Sequence, residues 1–355
     1  MSFVRGFDAR PLDAPMNEPF EIAGGGSSRV RNVLVRLKIS DGTVGYGEGA
    51  PFPAYNGEDQ RSTLRALEAQ EGWLAGADFS SLRGFLERVE ERLAGRGAAS
   101  AALGMAAADA WCRRARLPLR ALFGGASSRV ATDVTITIVP PAQAAAAARR
   151  ISRLGVGTIK IKVGRDENED EARVLAAGGA APRARLILDA NQGYSARQAV
   201  ALVRRLRRRG VEPALFEQPV DKRDWDGLAR VERDGRLPVA ADESVATRRD
   251  ALEMVRRKAC SVVNVKLMKS GLLEAWDIAL ICRAGGLRLM IGGMVESSLA
   301  MACAAHVAAG IGGFEFIDLD TPLWFARDPM RGSLLGPRGV YDLSRARAGI
   351  GVVPA

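Results

Sequence analysis

The sequence predicts an α/β fold in which a (β/α)-barrel, TIM-like but modified to (β/α)7β, follows an N-terminal α+β domain. Two observations lead to this prediction. β-rich runs and helical stretches alternate evenly along the second half of the chain, and charged residues recur on one face of those runs. The chain has 355 residues, which is enough for a large barrel beside a smaller domain.

The barrel is predicted from eight short β-rich runs that are separated by helical stretches and begin 24 to 28 residues apart. This spacing is typical of βαβ units, and eight such units closing on themselves form a barrel. An open doubly wound sheet is the alternative, but the Gly-rich phosphate fingerprint of such sheets is missing. The runs are Thr132–Pro140, Thr158–Val163, Arg185–Asn191, Pro213–Pro219, Pro238–Ser244, Val262–Leu267, Leu287–Gly293 and Phe314–Asp320.

The residues before the barrel predict an α+β capping domain. After a short β-type run at Phe20–Ile22, the run Val33–Ile39 turns back at Asp41-Gly42 into Thr43–Glu48, which indicates a hairpin. Three helical stretches follow, and the Pro- and Gly-rich tail shows no clear eighth helix. We therefore predict a capping domain of residues 1–125, to which residues 321–355 return, and a barrel of residues 126–320. The helical stretches are Asp59–Leu74, Ser80–Leu93 and Ala98–Arg114.

Composition argues against several functional classes. Apolar residues make up 47% of the chain, yet no stretch approaches the roughly 18 apolar residues of a membrane span. The net charge of +10 comes mostly from scattered arginines, such as Arg204-Arg205 and Arg207–Arg209, which indicate a solvated helix face rather than a nucleic-acid surface. The four widely spaced cysteines, with no CxxC motif, favour a reducing cytoplasm over a disulfide framework.

Charged side chains alternate along the predicted strands where a barrel interior is normally apolar. In the run Thr158–Val163 the apolar residues share one face, so Lys160 and Lys162 must point inward. The same alternation places carboxylates, amides or a lysine at the C-terminal end of five further strands, which is where barrel enzymes carry their chemistry. These residues are Asp189, Asn191, Glu217, Asp242, Asn264, Lys266, Asp318 and Asp320.

Three of these carboxylates predict a metal site. Asp189, Glu217 and Asp242 end strands 3, 4 and 5, which are neighbours, and convergent carboxylates repel one another unless a cation lies among them. Oxygen ligands favour a hard ion, and Mg²⁺ takes such sites while leaving positions for substrate oxygens. We therefore expect Mg²⁺ as the cofactor.

The lysines predict acid/base catalysis. Lys162 ends strand 2 and Lys266 ends strand 6, so the two amines are expected to face each other across the pocket. One can remove the α-proton of a metal-bound carboxylate substrate and the other can return it on the opposite face. We expect nearby positive charge, including that of Lys160, to lower the pKa of the lysine base. His306 is the only histidine and lies in a helical run, so a histidine-based site is not expected.

Motifs along nearly the whole chain resemble the muconate-lactonizing subgroup of the enolase superfamily, and most closely its dipeptide epimerases. The resemblance implies Mg²⁺-dependent epimerisation of a dipeptide at its C-terminal α-carbon, by 1,1-proton transfer through an ene-diolate. It also implies that Asp318 and Asp320 bind the dipeptide's α-ammonium, and we expect Thr135, Met294 and Glu296 to bind substrate as well. The motifs are Leu122–Gly125, Lys160–Lys162, Asp189–Asn191, Glu217–Pro219, Ala241–Ser244, Asn264–Lys269, Gly292–Ser297 and Asp318–Leu323.

Two loops of the capping domain select the substrate side chain in these enzymes, and Phe20–Arg29 and Pro51–Asp59 match them here. Members specific for L-Ala-L/D-Glu resemble one another in carrying an arginine in the first loop, whereas this chain has Gly24–Gly26 and no arginine before Arg29. The resemblance therefore implies small or apolar dipeptides rather than Ala-Glu.

Other functions remain open at this point. An N-acylamino-acid racemase, an o-succinylbenzoate synthase or a muconate cycloisomerase would use the same site, but their substrates lack the ammonium that Asp318 and Asp320 would bind. A barrel metal hydrolase usually needs histidine ligands, and a non-enzymatic basic binding protein leaves the inward charges unexplained. We expect a small-molecule dipeptide as the partner and a homo-oligomeric assembly, with no nucleic acid or membrane bound.

Overall fold

The structure, a computed structural model, describes residues 2–22 and 25–355, and the side chains of residues 18–27 lie outside the description. An antiparallel three-stranded sheet opens the chain, in the order β1-β2-β3, and five helices follow it along the chain. A 3₁₀ turn at Leu119–Phe123 leads towards the barrel. The strands are β1 (Val4–Ile22), β2 (Gly25–Ile39) and β3 (Val44–Gly49), and the helices are α1 (Pro53–Asn56), α2 (Gln60–Glu68), α3 (Glu71–Leu74), α4 (Leu82–Arg92) and α5 (Gly97–Ala115).

The predicted hairpin at Asp41-Gly42 is confirmed, and Gly42 has the positive φ of 90° that the turn requires. The β-type pattern predicted only Phe20–Ile22 as the first strand, whereas β1 begins at Val4 and pairs along most of β2. Helix α5 lies against β3 at backbone distance, because a Cβ at Gly47 would stand 2.0 Å from the Ala102 carbonyl oxygen. The close packing explains why α5 is built largely of alanine and glycine.

Eight parallel strands form the second sheet, and they lie in chain order from β5 to β12. A short strand, β4 (Arg129–Ala131), precedes them. Helices separate consecutive strands as the sequence predicted. The strands are β5 (Val134–Ile136), β6 (Thr158–Lys162), β7 (Arg185–Asp189), β8 (Leu215–Glu217), β9 (Val239–Ala241), β10 (Val262–Lys266), β11 (Arg288–Gly292) and β12 (Phe314–Ile317). The helices are α6 (Pro141–Arg153), α7 (Glu167–Ala180), α8 (Ala196–Arg208), α9 (Trp225–Gly235), α10 (Arg248–Arg257), α11 (Leu267–Ser270), α12 (Leu272–Ala284) and α13 (Ser298–Ile311).

The sheet curls until its two edge strands, β5 and β12, meet. The hydrogen bond that shows this runs from the Asp133 backbone N–H, just before β5, to the Ile317 carbonyl on β12 at 2.8 Å. One apolar layer fills the interior beneath the strand ends and separates them from the opposite mouth. Five of its six residues lie two positions before an inward polar residue in the same βα unit. The sixth, Met290, lies at the same level of the barrel on β11. The layer consists of Ile187, Leu215, Ala240, Val262, Met290 and Phe316, all buried.

The tail has no α-helix after α13, as predicted, and it returns to the N-terminal residues. Phe325 bridges to Met16, and the Ile350 N–H donates to the buried Asp109 carboxylate at 2.7 Å. The division at residues 125 and 320 stays a prediction. The tail contains 3₁₀ turns at Thr321–Trp324 and Leu343–Arg345 and the strands β13 (Met330–Arg331), β14 (Val340–Asp342), which pairs with β4, and β15 (Val353–Pro354), which pairs with β13.

A buried carboxylate ties the cap to the barrel mouth. Glu48 on β3 is fully buried and accepts hydrogen bonds from the Ser297 backbone N–H at 3.0 Å and from the Asn32 side chain at 2.7 Å. Asn32 also donates to the Val295 carbonyl. The loop after β11 is therefore held by the capping sheet. Within the described residues, no helix combines the length and apolarity that a membrane crossing requires.

Candidate active site

Lys160 lies at the centre of a buried charge cluster at the C-terminal mouth of the barrel. Its Nζ is 2.8 Å from Asp189 Oδ2, 2.8 Å from Glu217 Oε2 and 2.6 Å from Asp318 Oδ2. The lysine side chain is 2% exposed and the two carboxylates of β7 and β8 are fully buried. The strand alternation predicted from the sequence therefore places both lysines of β6 and these carboxylates inward.

The three carboxylates expected to bind metal lie on neighbouring strands, and Asp189 pairs with Glu217 in the β7–β8 register. Burial, and next the charge of Asp189, raises the pKa of Glu217 to about 8. Burial also opposes ionisation of Asp242, but Lys266 and Lys269 outweigh it and hold the pKa of Asp242 well below its usual range. Lysine amines pair with all three carboxylates, but they do not offset the cost of burying a charged Glu217.

These residues fit a hard divalent cation. All three offer carboxylate oxygens, and Glu217 Oε2 accepts no hydrogen bond of good geometry although it is buried and lies near Lys160 Nζ. Their oxygens pair with lysines rather than converging on one another. Among the residues that the structure describes, the acidic group with metal-ligand spacing is a different one, Asp133 with Asp318 and Asp320.

Lys162 and Lys266 line one cavity, as expected for an acid/base pair. Lys162 Nζ donates to Asp189 Oδ2 at 2.6 Å and to Asn191 Oδ1 at 2.9 Å, and Lys266 Nζ lies 2.7 Å from Asp242 Oδ2. The expected lowering of a lysine pKa is not seen at Lys266. Burial lowers the pKa of Lys266, but the nearby carboxylates, Asp242 first, outweigh burial and raise it above the usual range.

Lys269 is a site residue that the sequence did not single out. Its Nζ donates to the backbone oxygen and to Oδ1 of Asp242, at 2.5 and 2.9 Å, and to the Asn264 carbonyl at 2.9 Å. The Asn264 side chain in turn donates to Glu217 Oε1 at 2.7 Å. Lys269 follows β10 in the short helix α11, so strand alternation gave no signal for it. Its role is to fix the orientation of Asp242.

Asp318 and Asp320 lie on the side of the cavity away from Asp242, and both line it. Asp320 Oδ2 accepts the Thr135 backbone N–H at 2.7 Å and the Trp324 indole N–H at 3.2 Å. Burial, and then Asp318, raises the pKa of Asp320 to about 6. A carboxylate pair of this kind binds a cationic group of a ligand.

Asp133 is a third carboxylate at this position, and the sequence analysis missed it. It is 1% exposed, neither of its oxygens has a hydrogen-bond partner among the described residues, and one of them lies within 4.8 Å of oxygens of Asp318 and Asp320. Burial, and then Asp318 and Asp320, raises the pKa of Asp133 well above its usual value. Its position two residues before the inward Thr135 was the available signal.

The cavity, of about 500 Å³ with the space open to solvent included, lies between the lysines, the carboxylates of Asp318 and Asp320, and Phe52 of the cap. Met294 and Thr135 line it, as expected, whereas Glu296 does not. Glu296 is 1% exposed and instead accepts the Met294 N–H at 2.7 Å, so it shapes the loop rather than reaching the cavity. Phe52 also lines the cavity, and Tyr55 lines an adjoining one of about 470 Å³. The predicted loop around Gly24–Gly26 cannot be compared with the cavity, because the side chains of residues 18–27 lie outside the description.

His306 is a core residue, as the sequence indicated. It is fully buried, its Nδ1 accepts the Arg120 backbone N–H at 3.1 Å, and its Nε2 lies 3.0 Å from the Ile350 carbonyl oxygen. Burial lowers the pKa of His306 to about 4. The barrel mouth therefore offers lysines and carboxylates, and not this histidine, for acid/base chemistry.

Comparison with known proteins agrees with this geometry. Residues 8–124 match the mandelate racemase/muconate lactonizing enzyme N-terminal domain, and residues 142–355 match the enolase C-terminal domain-like family. An aromatic dipeptide epimerase from Herpetosiphon aurantiacus is 43% identical over 98% of both chains. A hydrophobic dipeptide epimerase from Citrifermentans bemidjiense is 39% identical over 98% of this chain and 96% of its own.

Solved structures of related proteins have the same fold along the whole chain. The crystal structure of a dipeptide epimerase from Enterococcus faecalis, complexed with Mg and the dipeptide L-Leu-L-Tyr, matches with a TM-score of 0.94 at 34% identity over 99% of both chains. The predicted barrel with its N-terminal capping domain is therefore confirmed. The chain belongs to the enolase superfamily, in the racemase and epimerase branch that contains the dipeptide epimerases, and it is an isomerase.

Proposed function

We propose that the protein epimerises dipeptides at the C-terminal α-carbon. The observation that carries this proposal is the arrangement of one cavity, in which Lys162 and Lys266 share the walls with the carboxylates of Asp318 and Asp320. A dipeptide has a carboxylate at one end and an ammonium at the other. It would span the cavity with its ammonium at the carboxylates of Asp318 and Asp320 and its acidic α-carbon between the lysines.

The lysines move the protons. One lysine Nζ, in its neutral form, takes the proton from the α-carbon and becomes an ammonium, which leaves the substrate as an ene-diolate. The Nζ of the other lysine, initially protonated, gives a proton to the opposite face and becomes neutral. Lys160, close to Asp189, Glu217 and Asp318, holds positive charge between the two ends of the substrate.

Asp189, Glu217 and Asp242 would hold Mg²⁺, which supplies a positive charge that stabilises the additional negative charge on the substrate carboxylate. Glu217 supports this assignment, because its buried Oε2 accepts no hydrogen bond of good geometry and its pKa is raised to about 8, so that a cation there would stabilise the ionised form. The group Asp133, Asp318 and Asp320 has metal-ligand spacing, but we propose that it binds the ammonium instead. A monovalent cation suits a group in which Asp318 already contacts Lys160 Nζ at 2.6 Å.

We propose apolar dipeptides as the substrates. Phe52, Met294 and Val295 line the main cavity, and Tyr55 extends the apolar wall on the Lys266 side. No arginine lines either cavity among the described residues, so neither presents a guanidinium to a glutamate side chain. The names of two of the curated relatives, aromatic and hydrophobic dipeptide epimerase, agree with this preference.

A dipeptide library in D₂O tests the proposal. We expect Mg²⁺-dependent deuterium uptake at the C-terminal α-carbon of apolar L,L-dipeptides, with lower kcat/KM for L-Ala-L-Glu. Better turnover of N-acylated than of free amino substrates would refute the dipeptide assignment and favour an N-acylamino-acid racemase. A clear preference for the glutamate peptide would refute the specificity alone.

A further inference from the structure

Helix α7 carries a buried ion pair that the proposed reaction does not use. Asp170 and Arg173 lie one turn apart, and Asp170 Oδ1 is 2.5 Å from Arg173 Nη1. Their side chains are 0% and 2% exposed, and Arg173 is the bulkiest fully buried side chain among the described residues. On an outer barrel helix a charged pair of this kind faces the sheet rather than the solvent.

The pair is joined by Tyr194, and we name Asp170, Arg173 and Tyr194 the Asp170 cluster. Asp170 Oδ2 accepts the Tyr194 hydroxyl at 2.5 Å and the backbone N–H groups of Gly164 and Arg165 at 2.8 and 3.1 Å. The cluster therefore fixes the two residues that follow Val163 at the end of β6. It does so from a helix and a loop that belong to different βα units.

Arg173 completes the connection to the catalytic strand. Its Nη1 donates to the Lys162 carbonyl at 3.2 Å, and its Nε donates to the Val139 carbonyl at 2.7 Å. The guanidinium thus joins the chain just beyond β5 to the last residue of β6. Since backbone groups of Lys162 and of Gly164 both bond to the cluster, the position of Lys162 Cα is set by it.

The loop after β7 is tied to the same point. Gly164 has a φ of 104°, and a Cβ there would stand 2.6 Å from the Ala190 carbonyl oxygen, so the loops after β6 and β7 are in backbone contact. Asn191, in the second loop, also adopts a positive φ of 41° and accepts a hydrogen bond from Lys162 Nζ at 2.9 Å. The cluster therefore controls both the backbone of Lys162 and the amide that orients its amine.

A purely stabilising role explains these contacts less well. Removing two charges from water costs several kcal/mol, and a well-packed apolar pair is often at least as stable as a buried ion pair. The contacts are also confined to one side of the barrel. Lys266 depends on a separate set, in which Lys269 bonds to Asp242 and Asn264. Nothing described in the Asp170 cluster touches that set.

We infer that the Asp170 cluster positions Lys162, and only Lys162, for proton transfer on its face of the α-carbon. The inference rests on the proposed function. It makes Asp170, Arg173 and Tyr194 positioning residues, because none of them lines the cavity. Damage to the cluster should therefore slow one of the two proton transfers and spare the other.

Face-resolved exchange in D₂O measures this directly. Each lysine exchanges the α-proton of the substrate configuration that faces it, so initial deuterium uptake without inversion, started from the L,L and from the L,D dipeptide, reports the two faces separately. The Lys162→Ala variant identifies which configuration Lys162 serves. We expect Asp170→Asn to slow exchange on that face by at least about tenfold, since a shift of about 1 Å in a reacting group costs on the order of 100-fold.

Exchange on the Lys266 face should stay within about twofold of the wild-type rate, because the reaction there needs no contact with the cluster. Tyr194→Phe removes one hydroxyl and keeps the ring, so it should shift the ratio in the same direction by about threefold even if Asp170→Asn fails to fold. Tyr341→Phe is the matched control, since the buried Tyr341 hydroxyl donates to the Leu319 carbonyl at 2.7 Å, beyond the end of β12 and apart from the Asp170 cluster. Tyr341→Phe should change the exchange rate by the same factor on both faces.

The outcomes separate the inference from the proposed function. Equal loss on both faces in Asp170→Asn and Tyr194→Phe, or no loss in either, overturns the positioning role while leaving the reaction intact. Wild-type protein that exchanges no dipeptide on either face overturns both. A changed ratio of the two faces, with the control ratio unchanged, supports the inference.

Discussion

The Asp320 carboxylate gives the sharpest test of the substrate's ammonium. Asp320→Asn keeps the side-chain shape and an oxygen that can accept the Thr135 N–H, which donates at 2.7 Å in the structure. It removes the negative charge of a residue that is 1% exposed. The change therefore isolates the charge from the packing.

A hydrogen bond to a charged partner contributes about 1.5–3 kcal/mol, and each 1.4 kcal/mol is about tenfold. Asp320→Asn should accordingly lower kcat/KM for a free dipeptide by about 10- to 150-fold. The same substitution should change kcat/KM for the N-acetylated dipeptide by less than about threefold, since that substrate has no ammonium to lose.

Steady-state epimerisation followed by polarimetry, with both substrates on both proteins, measures these ratios. Asp342→Asn is the control for net charge, because Asp342 lies at the surface and pairs with Arg129 at 3.2 Å. An equal loss for free and acetylated substrates would show that Asp320 supports structure and does not bind an ammonium.

Three further predictions concern metal, the buried acid and pH. Asp242→Asn should weaken Mg²⁺ binding by at least about tenfold in calorimetry, whereas Asp133→Asn should leave it unchanged; the reverse result would move the metal to the Asp133 group. Asp133→Asn should raise KM for dipeptides less than Asp133→Leu does, because an amide keeps a polar group beside Asp318 and Asp320 whereas leucine removes it; equal effects would show that a polar group at this position is not needed. The folded-state pKa of His306, about 4, lies below its usual 6.5, so its stability contribution is complete above pH 6.5 and is lost as pH falls towards 4. The free energy of unfolding should therefore fall by on the order of 3 kcal/mol over that range from this residue, and His306→Gln should flatten the profile; an unchanged profile would contradict the assignment.

The barrel and most of the charged site were predictable because two periodicities coincide. Even spacing of the β-rich runs predicts the strand order, and alternation within each strand predicts which side chains point inward. Together they place Lys160 and Lys162 inward, and Lys162 opposite Lys266, from the sequence alone. Strand order then placed the carboxylates beside one another. These are consequences of geometry that a parallel barrel imposes on every sequence that forms it.

Contacts between distant segments were not predictable in this way. Arg173 lies among the polar residues of a helix, and only its burial against β5 and β6 distinguishes it from a solvated arginine. Lys269 lies in a short helix beyond its strand, where alternation gives no signal, whereas Phe52 falls within the loop Pro51–Asp59 that the resemblance implied. Most of β1 was missed because Pro11 and Pro15 interrupt its alternation, although prolines are tolerated in edge strands.

The central claim is that two lysines serve opposite faces of one α-carbon, and proton exchange in single-lysine variants tests it most directly. Lys162→Ala and Lys266→Ala should each abolish epimerisation, while each retains deuterium exchange from one substrate configuration only. The retained configurations should be opposite in the two variants. If either variant still interconverts the L,L and L,D dipeptides at the wild-type rate, or if both variants retain exchange from the same configuration, the two-base account is wrong.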